Sequence, residues 1–191
     1  MEPIVNPIVY INFIAEINDR TAGNLLFIIT DQLRSGIRKF HINIASNGGI
    51  VFHAVSIFNF LNGIENVEIH THNLGQIDSS ANLIFLAGSS RSASKASTFL
   101  LHPPQMNFRN AGEASLPIDF LKERLQSLEK DQAKMAEIIA SRILKGPDEV
   151  IRMFNERKTY SSEEALDIGF IHEIREFVGT PNVPIYTITN Q

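Results

Sequence analysis

Phe40-His41-Ile42-Asn43-Ile44-Ala45-Ser46-Asn47-Gly48-Gly49 is the stretch whose reading decides the fold. Phe40 to Ile44 alternates apolar and polar side chains with the two-residue period of a half-buried strand. Ser46 to Gly49 reads as a turn carrying two glycines, and Ile50 to Leu61 as a helix that stops at Asn62-Gly63. Strand, glycine turn and helix in that order are half of a βαβ unit.

The pattern repeats outward. Upstream, Ile8 to Ile14 is a β-rich apolar run, Ile17 to Thr21 supplies capping residues, and Leu25, Leu26, Ile28, Ile29 and Leu33 recur at helical spacing up to Gly36. Downstream, Val67, Ile69 and Thr71 alternate as a strand that Gly75 breaks before the apolar run Leu83 to Ala87. Ser97 to Leu101 is a further strand, ending at His102-Pro103-Pro104. Strands alternating with helices of this length imply an α/β fold with a mainly parallel sheet and helices packed on it. Ile118 to Leu144 then reads as one long helix, with Ile118, Leu121, Leu125, Leu128, Met135, Ile139 and Ile143 on one stripe and Gly146-Pro147 as its stop. The tail after Gly179 reads either as a late strand or as a loosely held end.

The bulk numbers exclude several function classes. A chain of 191 residues suits one domain, 1–191, around one sizeable core. A net charge of −4 offers no basic stripe for nucleic acid and no basic run for an anionic membrane. The absence of cysteine removes thiol nucleophiles, disulfides and cysteine-ligated zinc. Met1-Glu2-Pro3 has no positive leader segment, and Ile8 to Ile14 is too short to span a bilayer, so a cytoplasmic protein without cofactor is expected. His70 and His72 share a strand face but have no third metal ligand nearby. They are expected to be exposed strand histidines.

Three polar or glycine-rich segments fall at carboxyl ends of strands, where α/β sheets meet their ligands. Ser46 to Gly49 leaves backbone N–H groups able to bind a developing oxyanion, although Asn-Gly-Gly is also an ordinary turn. Gly75-Gln76-Ile77-Asp78-Ser79-Ser80 exposes a serine at a helix start, which serves equally as a plain N-cap. His102 ends an apolar strand before two prolines, a rigid position that suits either a general base or a structural histidine.

Taken together these segments resemble the Clp protease family. Ile42 to Gly49, followed by Ser56-Ile57-Phe58-Asn59, is similar to its "yINSPGG…sIyD" segment. Gly75 to Ser80, followed by Ala87-Gly88, is similar to its "GQAASM…AG" nucleophile elbow. Arg91 and Leu100-Leu101-His102-Pro103-Pro104 resemble "R…imiHQP", and Ser161 to Ile171 resembles "lsa.EA.eyGliD". The resemblance implies the ClpP/crotonase-type fold, with Ser79 as nucleophile, His102 as general base, and the N–H groups of Gly49 and Ser80 as oxyanion hole. It also implies peptide or unfolded-protein substrates, and homo-oligomeric, seven-membered rings joined through a handle helix at 118–144. A Clp-type ATPase partner is implied as well, although the short segment before the first strand argues against one.

The family's third catalytic residue, an aspartate, is not matched. Gapless pairing puts Arg157 there, with Glu156 one residue away and Asp148 further off. Asp78, Phe52, His53 and Asn47 also depart from the pattern around the cleft. Two alternatives follow: a catalytically impaired assembly subunit, and a crotonase-like acyl-CoA enzyme of the same fold. The combination of Ser79 with His102 argues against the latter.

Overall fold

The computed structural model describes residues 8–106 and 116–190. The Met1-Glu2-Pro3 start and the outermost ends of the expected 1–191 domain lie outside them. The chain runs β1 (Ile8–Ile14), α1 (Asp19–Arg34), β2 (Lys39–Ser46), α2 (Val51–Gly63), β3 (Glu68–Asp78), α3 (Ala81–Leu86), β4 (Ser90–Ala93) and β5 (Thr98–Leu100). It continues through α4 (Ile118–Ala140), α5 (Pro147–Glu156), β6 (Thr159–Ser161), α6 (Ser162–Asp167), β7 (Glu173–Ile174) and β8 (Ile185–Thr189).

One sheet orders its strands β6-β5-β3-β2-β1-β8, with β4 leaving β3 to pair β7. Every pairing is parallel except β5 with β6. The fold is therefore the mixed α/β architecture with a mainly parallel sheet that the alternating pattern predicts. Of the two readings of the tail, the strand holds: Ile185 to Thr189 pairs β1 in parallel register.

Local chemistry explains where elements start. Asn18 accepts the N–H groups of Arg20 and Thr21, while Thr21 Oγ1 accepts the N–H of Asn18, so a capping box opens α1. Such a cap is worth about 1 kcal/mol. Ser161 and Glu164 form the same reciprocal pair at the start of α6.

Three sequence expectations need correction. Gly75 does not break β3, because the strand changes partner there. His70 to Asn73 pair β4, and Gln76 to Asp78 pair β5. Asn73 secures the change, accepting the Gly75 N–H at 2.9 Å and donating to the Thr98 carbonyl at 2.9 Å. The long helix ends at Ala140 rather than Leu144. Gly146-Pro147 opens α5 instead of stopping α4, which is where a proline at the first helical position is favourable. His72 is buried and His70 half-buried, with the His70 ring stacked on His41 at 4.6 Å.

Phe85 of α3, Phe99 of β5 and Phe170 pack with ring centroids 5.1 to 6.1 Å apart, all essentially buried. Burial of each is worth roughly 2–3 kcal/mol. This cluster pins α3 beneath the ends of β3 and β5. The α4 stripe divides. Met135 and Ile139 are buried, whereas Ile118, Leu121 and Leu125 are 44–70% exposed.

Candidate active site

The carboxyl ends of β2, β3 and β5 converge, bringing together the turn after Ser46, the elbow at Ser79 and the chain leaving Leu100. Ser79 has φ +55°, left-handed backbone that a serine enters at a cost of order 1–3 kcal/mol. Two contacts hold it there. The Ser79 N–H donates to the Leu100 carbonyl at 2.9 Å, and Asn82 Nδ2 donates to the Ser79 carbonyl at 2.8 Å and to the Leu100 carbonyl at 3.0 Å. The hydroxyl of Ser79 is half-buried and has no hydrogen-bond partner among the described residues.

The glycine turn closes on this elbow. Ser46 Oγ donates to the Ala15 carbonyl at 2.6 Å and accepts the Gly48 N–H at 3.2 Å. A methyl group on Gly48 would lie 2.7 Å from Ser79 Cβ. Gly49 has φ +148°, and a methyl there would lie 2.2 Å from the Ile17 carbonyl oxygen. Ile17 takes the bonds on either side of Gly49, donating to Gly48 and accepting from Ile50. The N–H groups of Gly49 and Ser80 are left without partners among the described residues. Ser80 Oγ donates to the Gly49 carbonyl at 3.1 Å and so ties the turn to the elbow.

His102 is half-buried just beyond β5. Its Nδ1 lies 2.7 Å from the Pro103 carbonyl oxygen. That oxygen can only accept, so Nδ1 carries the proton and Nε2 of the neutral ring holds the lone pair. Among the described residues no hydrogen bond joins His102 to Ser79.

The matched acid position is empty of acid. Arg157 caps α5 with φ +51° and is exposed. Glu156 lines a small surface cavity with Lys145, Glu149, Arg152 and Met153, while Asp148 is exposed in the first turn of α5. None of the three contacts His102. The carboxylate whose charge does reach His102 is Asp78, 7% exposed, with Gln76 donating to one oxygen and the other buried without a hydrogen-bond partner. Burial pushes the Asp78 carboxyl above its ordinary range, and Gln76, the His102 charge and the Leu100 peptide hold it down in part.

A cleft of about 530 Å³ passes the turn, lined among others by Gly49, Phe52, Pro104, Met106, Leu128 and Asp131. Phe52 stands 70% exposed at this cleft. His53 is bound instead to Asp19, Nε2 to Oδ1 at 2.6 Å. Asn82 is the supporting residue that the sequence reading missed. Its signal was a single amide within the otherwise apolar stretch Ala81 to Ala87, and the structure buries it fully.

The family model for Clp protease matches residues 8–177. The proteolytic subunit 1 of the ATP-dependent Clp protease from Leifsonia xyli subsp. xyli is 27% identical over 157 residues, which cover 81% of this chain and 75% of that protein. Among solved structures, a ClpP1 variant from Listeria monocytogenes superposes with a TM-score of 0.73 at 21% identity, over 90% of this chain and 92% of the other. That likeness speaks for the fold.

Proposed function

Because the chain belongs to the Clp protease family, we propose that it is a serine endopeptidase subunit acting on peptides or unfolded chains inside an oligomeric chamber. In this reading Ser79 Oγ attacks the scissile carbonyl and passes its proton to Nε2 of His102. The N–H groups of Gly49 and Ser80 receive the oxyanion, and the imidazolium returns the proton to the leaving amine.

The observation that carries the reading is the elbow. A serine held in left-handed backbone presents an uncommitted hydroxyl beside two uncommitted N–H groups. A capping serine uses its hydroxyl on its own helix; the N-cap position of α3 is Ser80, and the Ser79 hydroxyl makes no such bond among the described residues. The exposed half of the α4 stripe supports assembly, since an apolar face of this size is normally covered. In this reading the copies form seven-membered rings joined through this helix. An ATPase that delivers substrate belongs to the same reading, because the Leifsonia xyli relative is described as ATP-dependent.

The test is labelling with a fluorophosphonate, which reacts only with an activated serine. Wild type should label and Ser79→Ala should not, with peptide turnover falling to background, a loss smaller than the roughly 10⁶-fold of a complete triad. An unlabelled, folded wild type would sink the proposal. It would favour the second reading, an assembly subunit with a disabled site, for which the exposed Arg157 at the acid position is the specific support.

A further inference from the structure

Arg91 of β4 and Arg142, two residues beyond α4, sit side by side. Arg91 donates from Nε to the Phe170 carbonyl at 2.7 Å, from Nη1 to Gly88 at 3.2 Å, and from Nη2 to Arg142 at 2.9 Å and Gly169 at 3.0 Å. Arg142 donates from Nε to the Leu86 carbonyl at 2.9 Å and from Nη2 to the same Gly88 oxygen at 2.9 Å. Two like charges thus share one acceptor, and among the described residues neither forms an ion pair.

Carbonyl dipoles satisfy the N–H groups but leave net charge. The Leu86, Gly88 and Arg142 carbonyls lie at or just past the C-terminal ends of α3 and α4, and those of Gly169 and Phe170 lie just past α6. Each helix end is worth at most about half a negative charge, so the three offset no more than about one and a half of the two positive charges. Burial and the neighbouring Arg142 bring the Arg91 guanidinium down to about 10, and burial lowers Arg142. Burial and the two arginines lower His172.

A cavity of about 370 Å³ opens on this pair, lined by Ser89, Arg91, Ser141, Arg142 and His172 and by no carboxylate. Its two hydroxyls already donate to backbone, Ser89 to Ile69 and Ser141 to Ile138. The uncommitted donors are Arg142 Nη1 and the Nε2–H of His172, whose Nδ1 accepts the Arg91 N–H at 3.2 Å. We propose that this cavity binds a small oxyanion, a carboxylate or a phosphate, between the Arg142 guanidinium and His172. A planar guanidinium beside an imidazole donor matches two oxygens of such a group, and the anion neutralises the charge that the helix ends leave over.

Thermal unfolding with sodium phosphate or sodium acetate, against sodium chloride at equal ionic strength, tests this. Either anion should raise Tm saturably by about 3 °C in wild type, and Arg142→Met should abolish the rise. Saturation by acetate would identify a carboxylate-bearing ligand, and saturation by phosphate alone a phosphoryl group. In the wild type, NMR signals of the His172 ring should shift along the same saturation curve, which keeps the test valid if the variant does not fold. No saturable response to either anion, or an equal response in folded Arg142→Met, overturns the proposal.

Discussion

His102 donates its Nδ1 proton to the carbonyl oxygen of Pro103, the next residue in the chain, at 2.7 Å. In a serine triad that proton goes to a carboxylate, which fixes the tautomer and also stabilises the imidazolium. The carbonyl fixes the tautomer but brings only a dipole, and Asp78, the carboxylate that reaches His102, is itself pushed above its ordinary range by burial, so the developing charge is weakly offset. The expected site is a competent but slow Ser–His pair.

Supplying the missing charge should therefore quicken it. Arg157→Asp is expected to raise single-turnover acylation by an activated ester on the order of tenfold, well short of the ~10⁴ that separates a triad acid from its amide. Aspartate tolerates the left-handed backbone found at this position. Glu156→Gln should change the rate little, because Glu156 faces the Lys145 and Arg152 cavity. A large loss in Glu156→Gln would identify that residue as the acid.

The glycine turn should be intolerant of a single methyl group. Gly49→Ala meets backbone at 2.2 Å and φ +148°, and is expected to cost about 3 kcal/mol or more, read as a drop in Tm together with loss of labelling. Gly75→Ala has nothing within 4 Å of the added carbon and should retain both. Equal tolerance at the two positions would mean that the turn is not packed as described.

Acid should unfold the protein through its histidine cluster. Burial, then the charges of His70, Arg175, Lys39 and His72, hold His41 down to about 4. Burial and Arg175, opposed by Glu176, bring His72 to about 4. Between about 6.5 and about 4 the unfolded chain binds more protons than the folded one, so stability falls as pH drops through that window. Chemical denaturation at pH 7 and at pH 5 should show this loss, and His41→Phe should lessen it. A flat profile over the window would count against neutral, buried rings.

Charging the exposed half of α4 should disassemble without unfolding. Leu121→Lys combined with Leu125→Glu alters side chains 44% and 57% exposed, so a smaller species of unchanged helicity is expected by sedimentation. Met135→Ala, fully buried in the same helix, should instead cost about 2–5 kcal/mol. An unchanged sedimentation coefficient in the double variant would rule out this face as the contact between copies.

The parts legible in the sequence were those written locally. Alternation in Phe40 to Ile44, the paired glycines and the capping residues around Asn18 each act within a few residues. The same holds for the apolar run that became α3. What escaped depended on distant partners. Gly75 looked like a strand breaker because its support, Asn73 bound to Thr98, crosses to another strand. β4 is only four residues, Ser90-Arg91-Ser92-Ala93, whose strand character comes from pairing β3 and β7. Gly146-Pro147 signals a helix end and a helix start equally well, and only the packing of α5 against α4 decides. The Pro103 carbonyl could not be read at all, since backbone acceptors leave no trace in residue types.

Gly48 and Gly49 have a consequence for how this chain can diversify. Their backbone lies so close to Ser79 and Ile17 that any side chain collides, at 2.7 Å and 2.2 Å respectively. That wall of the cleft is thereby closed to inherited variation. Phe52, Met106 and Leu128 line the same cleft and can be exchanged without touching the turn. Under the proposed function, selectivity among peptide side chains can drift through such positions while the turn beside them stays frozen.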